Sequence, residues 1–227
     1  MITRSPLATL VPNPRDVADR TEPVFGLVVH TTGSGIVEQA IKLLAQPLEH
    51  AVAYYMKPDS YFAHYVIGWD GHIVQIADEK ERAPHVGFAE RAKYLDGSWE
   101  KALPFDLVAL WQRRWPGYKS PAHLFPGPSV NNVYVGCELL PLPKKDPVYG
   151  LYTLEQHQAV VMLAVDIGER WGLPDRWWRT SRLLGHEDLN PLTRSTKKPP
   201  AGWDPGGLRA DPWFQWSVVL GLLDSRA

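Results

Sequence analysis

Val24-Phe-Gly-Leu-Val-Val-His30 is an unbroken apolar run that ends on a histidine and meets Thr31-Thr-Gly-Ser-Gly35. Apolar, β-branched residues bounded by a Gly/Ser cluster predict a buried strand that stops at a turn. Side chains alternate across a strand, so Val24, Gly26, Val28 and His30 share one face and Phe25, Leu27 and Val29 the other. Beyond the turn, Ile36, Val37, Ala40, Ile41 and Leu44 recur at three- and four-residue spacing, which predicts a helix broken near Pro47. Strands alternating with helices point to a mixed α/β domain, and ligands in such folds gather at the carboxyl ends of strands, where His30 stands.

The pattern continues outward from this strand. His64 to Ile67 and His72 to Ile76 flank Asp70-Gly71, a strong hairpin signal. Val133-Tyr-Val-Gly-Cys-Glu-Leu139 is a second buried strand, with Val133, Val135, Cys137 and Leu139 on one face and Tyr134, Gly136 and Glu138 on the other. A carboxylate inside such a strand is costly to bury without an ion pair or a chemical task. Thr153 and Gln156 fit a capping box that opens a helix through Val160, Val161, Ala164 and Ile167 to Trp171, with Gly172 as its stop. Residues 191–207 read as loop, and Trp213 to Leu223 as a closing helix. Residues 88–130 hold Trp99, Phe105, Trp111, Trp115 and Phe125 among several prolines, with one short helix near 105–115. Trp111 and Trp115, beside Arg113 and Arg114, either pack this insert onto its own domain or stack on a sugar or dock a partner.

Composition bounds the class. At roughly 150 residues per domain, 227 residues and 25.6 kDa make one generous domain. We place an irregular lead-in over 1–22 and one domain over 23–227. A net charge of -1 lacks the basic excess that nucleic acid demands. The longest apolar stretches, Val160 to Val165 and Val218 to Leu223, fall far short of the ~20 residues of a membrane span. Cys137 is the single cysteine, so a bound metal would be held by histidines and carboxylates. The opening MITRSPLATLVPNPRD has no apolar core of a signal peptide, which makes the expected location cytoplasmic as synthesised.

Of the eight histidines, His50, His123 and His157 have no acidic or metal-type company, and His72 beside the Asp70-Gly71 turn is expected to face solvent. Gly185-His-Glu-Asp-Leu-Asn-Pro191 begins like a zincin helix, but Asn190 stands where the second histidine is required. No Gly-x-Ser-x-Gly elbow, phosphate loop or dinucleotide fingerprint occurs.

Six segments, in order, carry a resemblance. They are His30-Thr-Thr-Gly33, Ala63-His-Tyr-Val-Ile67 with Asp70-Gly71, Arg82-Ala-Pro-His85-Val-Gly87, Asn131 through Gly136-Cys-Glu138-Leu139, Gly185 to Pro191, and Asp204-Pro-Gly206. From about residue 24 to 216 the chain resembles the zinc-dependent N-acetylmuramoyl-L-alanine amidases of the type-2 family, relatives of the peptidoglycan-recognition proteins. The resemblance implies a central mixed β-sheet flanked by helices, with one zinc ion in a groove across it. It makes His30, His186 and Asp204 the metal ligands, with a fourth position open to water, whose pKa the zinc would lower while polarising the amide carbonyl. It makes Glu138 the residue that takes a proton from water and passes it to the leaving amine. It places Arg82, His85 and Asn131 along the substrate groove and His64 under the site. The implied activity cleaves the amide between N-acetylmuramic acid and L-alanine of the peptidoglycan stem peptide; the alternative is a module that binds peptidoglycan without cutting it.

Two departures stand out. Many relatives carry a lysine two residues before the third ligand, where this chain has Gly202 in a loop lengthened by Thr196-Lys-Lys-Pro-Pro-Ala201, so Lys197 or Lys198 either serve the site or are solvated loop charges. The second is the insert. Phage lysin, cytoplasmic recycling enzyme and antibacterial effector all stay open as contexts, the periplasm or cell wall being the place of action if the chain is delivered there. The expected partner is peptidoglycan or a muropeptide, with no nucleic acid and with any immunity or delivery partner unidentified.

Overall fold

The computed structural model describes residues 4–43, 45–87, 91–127, 129–142, 152–194, 204–208 and 213–227. In chain order the elements are β1 (Thr9–Leu10), β2 (Gly26–Thr31), α1 (Ser34–Lys42), α2 (Pro47–Tyr55), β3 (Tyr65–Ile67) and β4 (Ile73–Gln75). The insert contributes α3 (Arg91–Leu95), α4 (Trp99–Ala102), α5 (Phe105–Arg114) and α6 (Val130–Val133). Then come β5 (Tyr134–Leu139), α7 (Leu154–Trp171), β6 (Leu183–Gly185), α8 (His186–Leu189), α9 (Pro191–Arg194) and α10 (Trp216–Asp224).

The strands form one sheet in the order β1-β4-β3-β5-β2-β6. Only the β3–β4 hairpin is antiparallel; the other pairs run parallel. This is the mixed sheet flanked by helices that the sequence led us to expect. The two central strands are buried along their length because helices cover both faces, as parallel sheets require. On one face Leu27, Val29, Val135, Cys137 and Leu139 pack against Val160, Leu163, Ala164 and Ile167 of α7 and Val219 of α10. On the other, Val66, Val74 and Phe62 meet α1 and α2, while Val28, Tyr134 and Leu184 meet the insert.

Helix α7 has the ends its sequence specifies. Thr153 accepts from Gln156 N, the Gln156 side chain accepts from Thr153 N, and Gly172 closes the helix at φ 61° in the left-handed region. Helix α2 departs from the expectation at Pro47: this proline starts a helix instead of merely ending one, since its missing N–H and fixed φ suit a first turn. Within the segment expected to be loop, Pro191–Arg194 form a helical turn, and the closing helix begins at Trp216. The insert packs on its own domain: Trp99, Trp111 and Trp115 are buried with Leu124 and Phe125 against the sheet. Among the described residues no helix is long and apolar enough to cross a membrane.

Candidate active site

Strand register brings the site together. His30 pairs with Glu138 across β2 and β5, and Val29 pairs with Gly185 across β2 and β6. His186, the next residue after β6, therefore lies beside His30, and their ring centroids are 4.8 Å apart. Asp204 is drawn in from a distant loop by backbone contacts. Thr31 N donates to its Oδ1 at 2.6 Å, and Glu187 N donates to its carbonyl at 2.9 Å. The Glu187 carboxylate fixes the same loop by accepting from Leu208 N at 2.8 Å.

Both imidazoles turn Nδ1 toward Asp204 Oδ2, at 3.6 Å for His30 and 2.9 Å for His186. One donor atom from each of these three buried residues lies within 4.8 Å of the others. Burial alone would raise the Asp204 carboxyl, but the two histidines outweigh it and hold it well below the usual carboxylate range. Burial likewise brings His186 down to about 4, against the pull of Asp204. Two imidazoles and a carboxylate form a donor set suited to catalytic zinc. His186 Nε2 has no hydrogen-bond partner among the described residues, so nothing competes for that ring by way of this atom. The residues fit the metal.

Glu138 stands next to this cluster, 8% exposed, with its Oε2 unpartnered among the described residues. Burial pushes its carboxyl up to about 7; Asp204 adds to the rise, while His30 and a hydrogen bond from Tyr55 oppose it. A carboxyl poised there can both accept and return a proton near neutral pH.

His85 is buried, its Nδ1 2.9 Å from Nε2 of His30. Its ring lies over Gly136, where a Cβ would sit 2.6 Å from the imidazole, so the glycine beside Glu138 is the space this ring occupies. His64 is buried too; its Nδ1 accepts from Gly136 N at 3.0 Å, its Nε2 lies 3.0 Å from the Glu81 carbonyl, and burial with Arg20 nearby brings it down to about 3. Arg82 and Asn131 are not gathered into the cluster. They line a separate cavity of about 430 Å³ with Arg15 and Phe62, and the Asn131 amide is engaged at both ends by Val86. His72 is exposed, as expected. Lys197, Lys198 and Gly202 lie outside the described residues.

Sequence reasoning missed three contributors. Asp188 is fully buried, two residues after His186, and joins it to the insert. Its carboxylate accepts from Gly185 N at 2.8 Å, from Trp115 Nε1 at 2.9 Å and from Arg114 Nε at 2.9 Å, while Trp111 Nε1 donates to its carbonyl. Arg194, at the end of α9, places Nη1 3.9 Å from Asp204 Oδ2. Tyr55 of α2 aims its hydroxyl at Thr32 Oγ1, 3.3 Å away, and at Glu138. Only the pairing of Trp111 and Trp115 with Arg114 hinted at any of this.

Comparison with known proteins agrees with the fold. The chain is similar to a selenomethionine derivative of AmpD in its crystal structure, at 19% identity and a TM-score of 0.52, over 98% of this chain and 99% of that one. It is also similar to Citrobacter freundii AmpD in solution, at 19% identity and a TM-score of 0.48, over 98% and 93% of the two chains. No curated protein sequence matches. The family model described as N-acetylmuramoyl-L-alanine amidase (Amidase_2) matches residues 20–207, a span that contains every residue of the cluster, and the chain belongs to that family.

Proposed function

We propose that this chain is a zinc-dependent hydrolase that cleaves the amide between N-acetylmuramic acid and the L-alanine of the peptidoglycan stem peptide. The observation that carries this reading is the convergence of His30, His186 and Asp204 on one point beside Glu138. A zinc ion held by those three side chains supplies Lewis acidity toward a water and toward the amide carbonyl. Glu138 takes the proton from the attacking water through its Oε2, unpartnered among the described residues, and returns it to the departing L-alanine amine. Tyr55 steadies the charged form of Glu138, and the Arg194 guanidinium brings positive charge to the carboxylate side of the cluster. Substrate contact by Arg82, His85 and Asn131 stays part of the proposal for Arg82, whose side chain is exposed; the other two are engaged within the protein.

The test is to incubate purified, zinc-loaded protein with muropeptides and follow release of free stem peptide by mass spectrometry. Release that stops on chelation and returns with zinc is the expected result. Intact substrate under the loaded condition sinks the reading.

A further inference from the structure

The imidazole of His85 stands edge-on to that of His30, ring centroids 5.1 Å apart at 88°. One of its nitrogens meets the metal-site histidine and the other meets the backbone: Nδ1 is 2.9 Å from His30 Nε2, and Nε2 is 3.2 Å from the Tyr134 carbonyl. These two contacts have a direction. A carbonyl oxygen can only accept, so a neutral His85 carries its proton on Nε2 and presents a lone pair at Nδ1. The 2.9 Å contact is then a hydrogen bond only when His30 carries its own proton on Nε2. His30 Nδ1 is left bare, and it is this nitrogen that faces Asp204 Oδ2. The opposite tautomer of His30 would set two lone pairs against each other and put an N–H where a ligand lone pair is needed.

We propose that His85 is a positioning residue that fixes the tautomer and rotation of His30, so that the His30 Nδ1 lone pair is aimed at the metal site before any metal arrives. This rests on the reading of His30, His186 and Asp204 as that site. The surroundings are arranged to hold His85 in place. Gly136 clears the volume its ring fills, and His85 N donates to the Ala83 carbonyl at 2.9 Å. The next residue, Val86, is gripped from both sides by the Asn131 amide, which accepts from Val86 N at 2.9 Å and donates to Val86 O at 3.0 Å. His85 and Asn131 thus act in one chain of contacts that ends on a ligand, Asn131 through the backbone and His85 through its ring.

Two measurements test this, neither of them activity. In the first, zinc affinity of the full chain is read by competition with a fluorescent chelator. His85→Ala is expected to weaken binding about 10–100-fold, the usual effect of losing a partner behind a ligating histidine. His85→Asn, whose Oδ1 can accept in place of Nδ1, is expected to recover most of that loss. Equal weakening by both substitutions marks a merely structural residue and overturns the proposal, as does a folded His85→Ala protein that binds zinc undiminished. The second measurement needs no substitution: long-range nitrogen–proton correlation spectra of the metal-free chain are expected to place the proton on Nε2 of both His30 and His85. A proton on His30 Nδ1, or a metal-free chain without a dispersed spectrum, overturns the idea of a pre-aimed ligand. Unmutated protein that takes up no zinc at all refutes the metal-site reading itself, a separate outcome.

Discussion

Glu138 is the residue where chemistry and position are easiest to separate. Glu138→Gln keeps the shape of the side chain and removes its ability to take a proton. Turnover is expected to fall by about 10²–10⁴-fold, the usual worth of a general base, while zinc content by elemental analysis stays that of the unmutated chain. Activity within a few-fold of the original would remove Glu138 from the mechanism. This residue was legible because a carboxylate on the face of an otherwise apolar strand has no cheap structural excuse. Asp188 and Arg194 were not, because nothing local marks them: Arg114 lies 74 residues before Asp188, and only the folded chain makes them a pair.

At the scale of elements, the insert turns out to serve the site. Helix α5 carries Trp111 and Arg114, Trp115 follows as its C-cap, and all three reach the turn that holds His186. Arg114→Met removes the only ion pair that Asp188 makes among the described residues, inside a setting where the carboxylate has no exposure. Breaking a buried pair in this way costs about 3–5 kcal/mol, which urea denaturation should detect as a lower midpoint. Unchanged stability would mean that the two indole-side and backbone contacts suffice without the guanidinium. The element types themselves were largely readable: β2, β5 and α7 follow from apolar periodicity and caps, which are local signals. Helix α2 was not, since a proline after an apolar helix looks the same whether it ends one element or starts another.

At the scale of the molecule, strand β3 is locked to helix α7 by a buried carboxylate that touches none of the proposed ligands. Glu79, fully buried, accepts from Tyr65 Oη of β3 at 2.6 Å, from Trp171 Nε1 at 2.6 Å and from Arg170 Nη2 at 2.8 Å, both at the end of α7. Arg170 also pairs with Asp166 one turn back. Glu79→Gln leaves one donor too many and takes from Arg170 one of its two carboxylate partners, Asp166 remaining, with an expected loss of about 1–3 kcal/mol, the cost of a buried polar group left unsatisfied. Thermal unfolding of this variant should show a clearly lowered Tm with little change in zinc affinity, because the clamp touches none of the proposed ligands; a strong loss of zinc binding would contradict that separation. The overall sheet order was not legible residue by residue. It depends on which strands neighbour each other, and alternation along a single strand says nothing about its partners.

The proposed ligands come from three places wide apart in the chain: the end of β2, the start of α8, and the loop at Asp204. During synthesis, His30 and even Glu138 emerge long before the carboxylate that must join them. A ribosome-bound chain that stops short of residue 204 has two imidazoles and no third donor, so it cannot hold the metal as the finished protein would. Because contacts of such long range form late, metal capture at the proposed site would signal completed folding, and a zinc-loaded molecule would be one that has already brought these distant segments together.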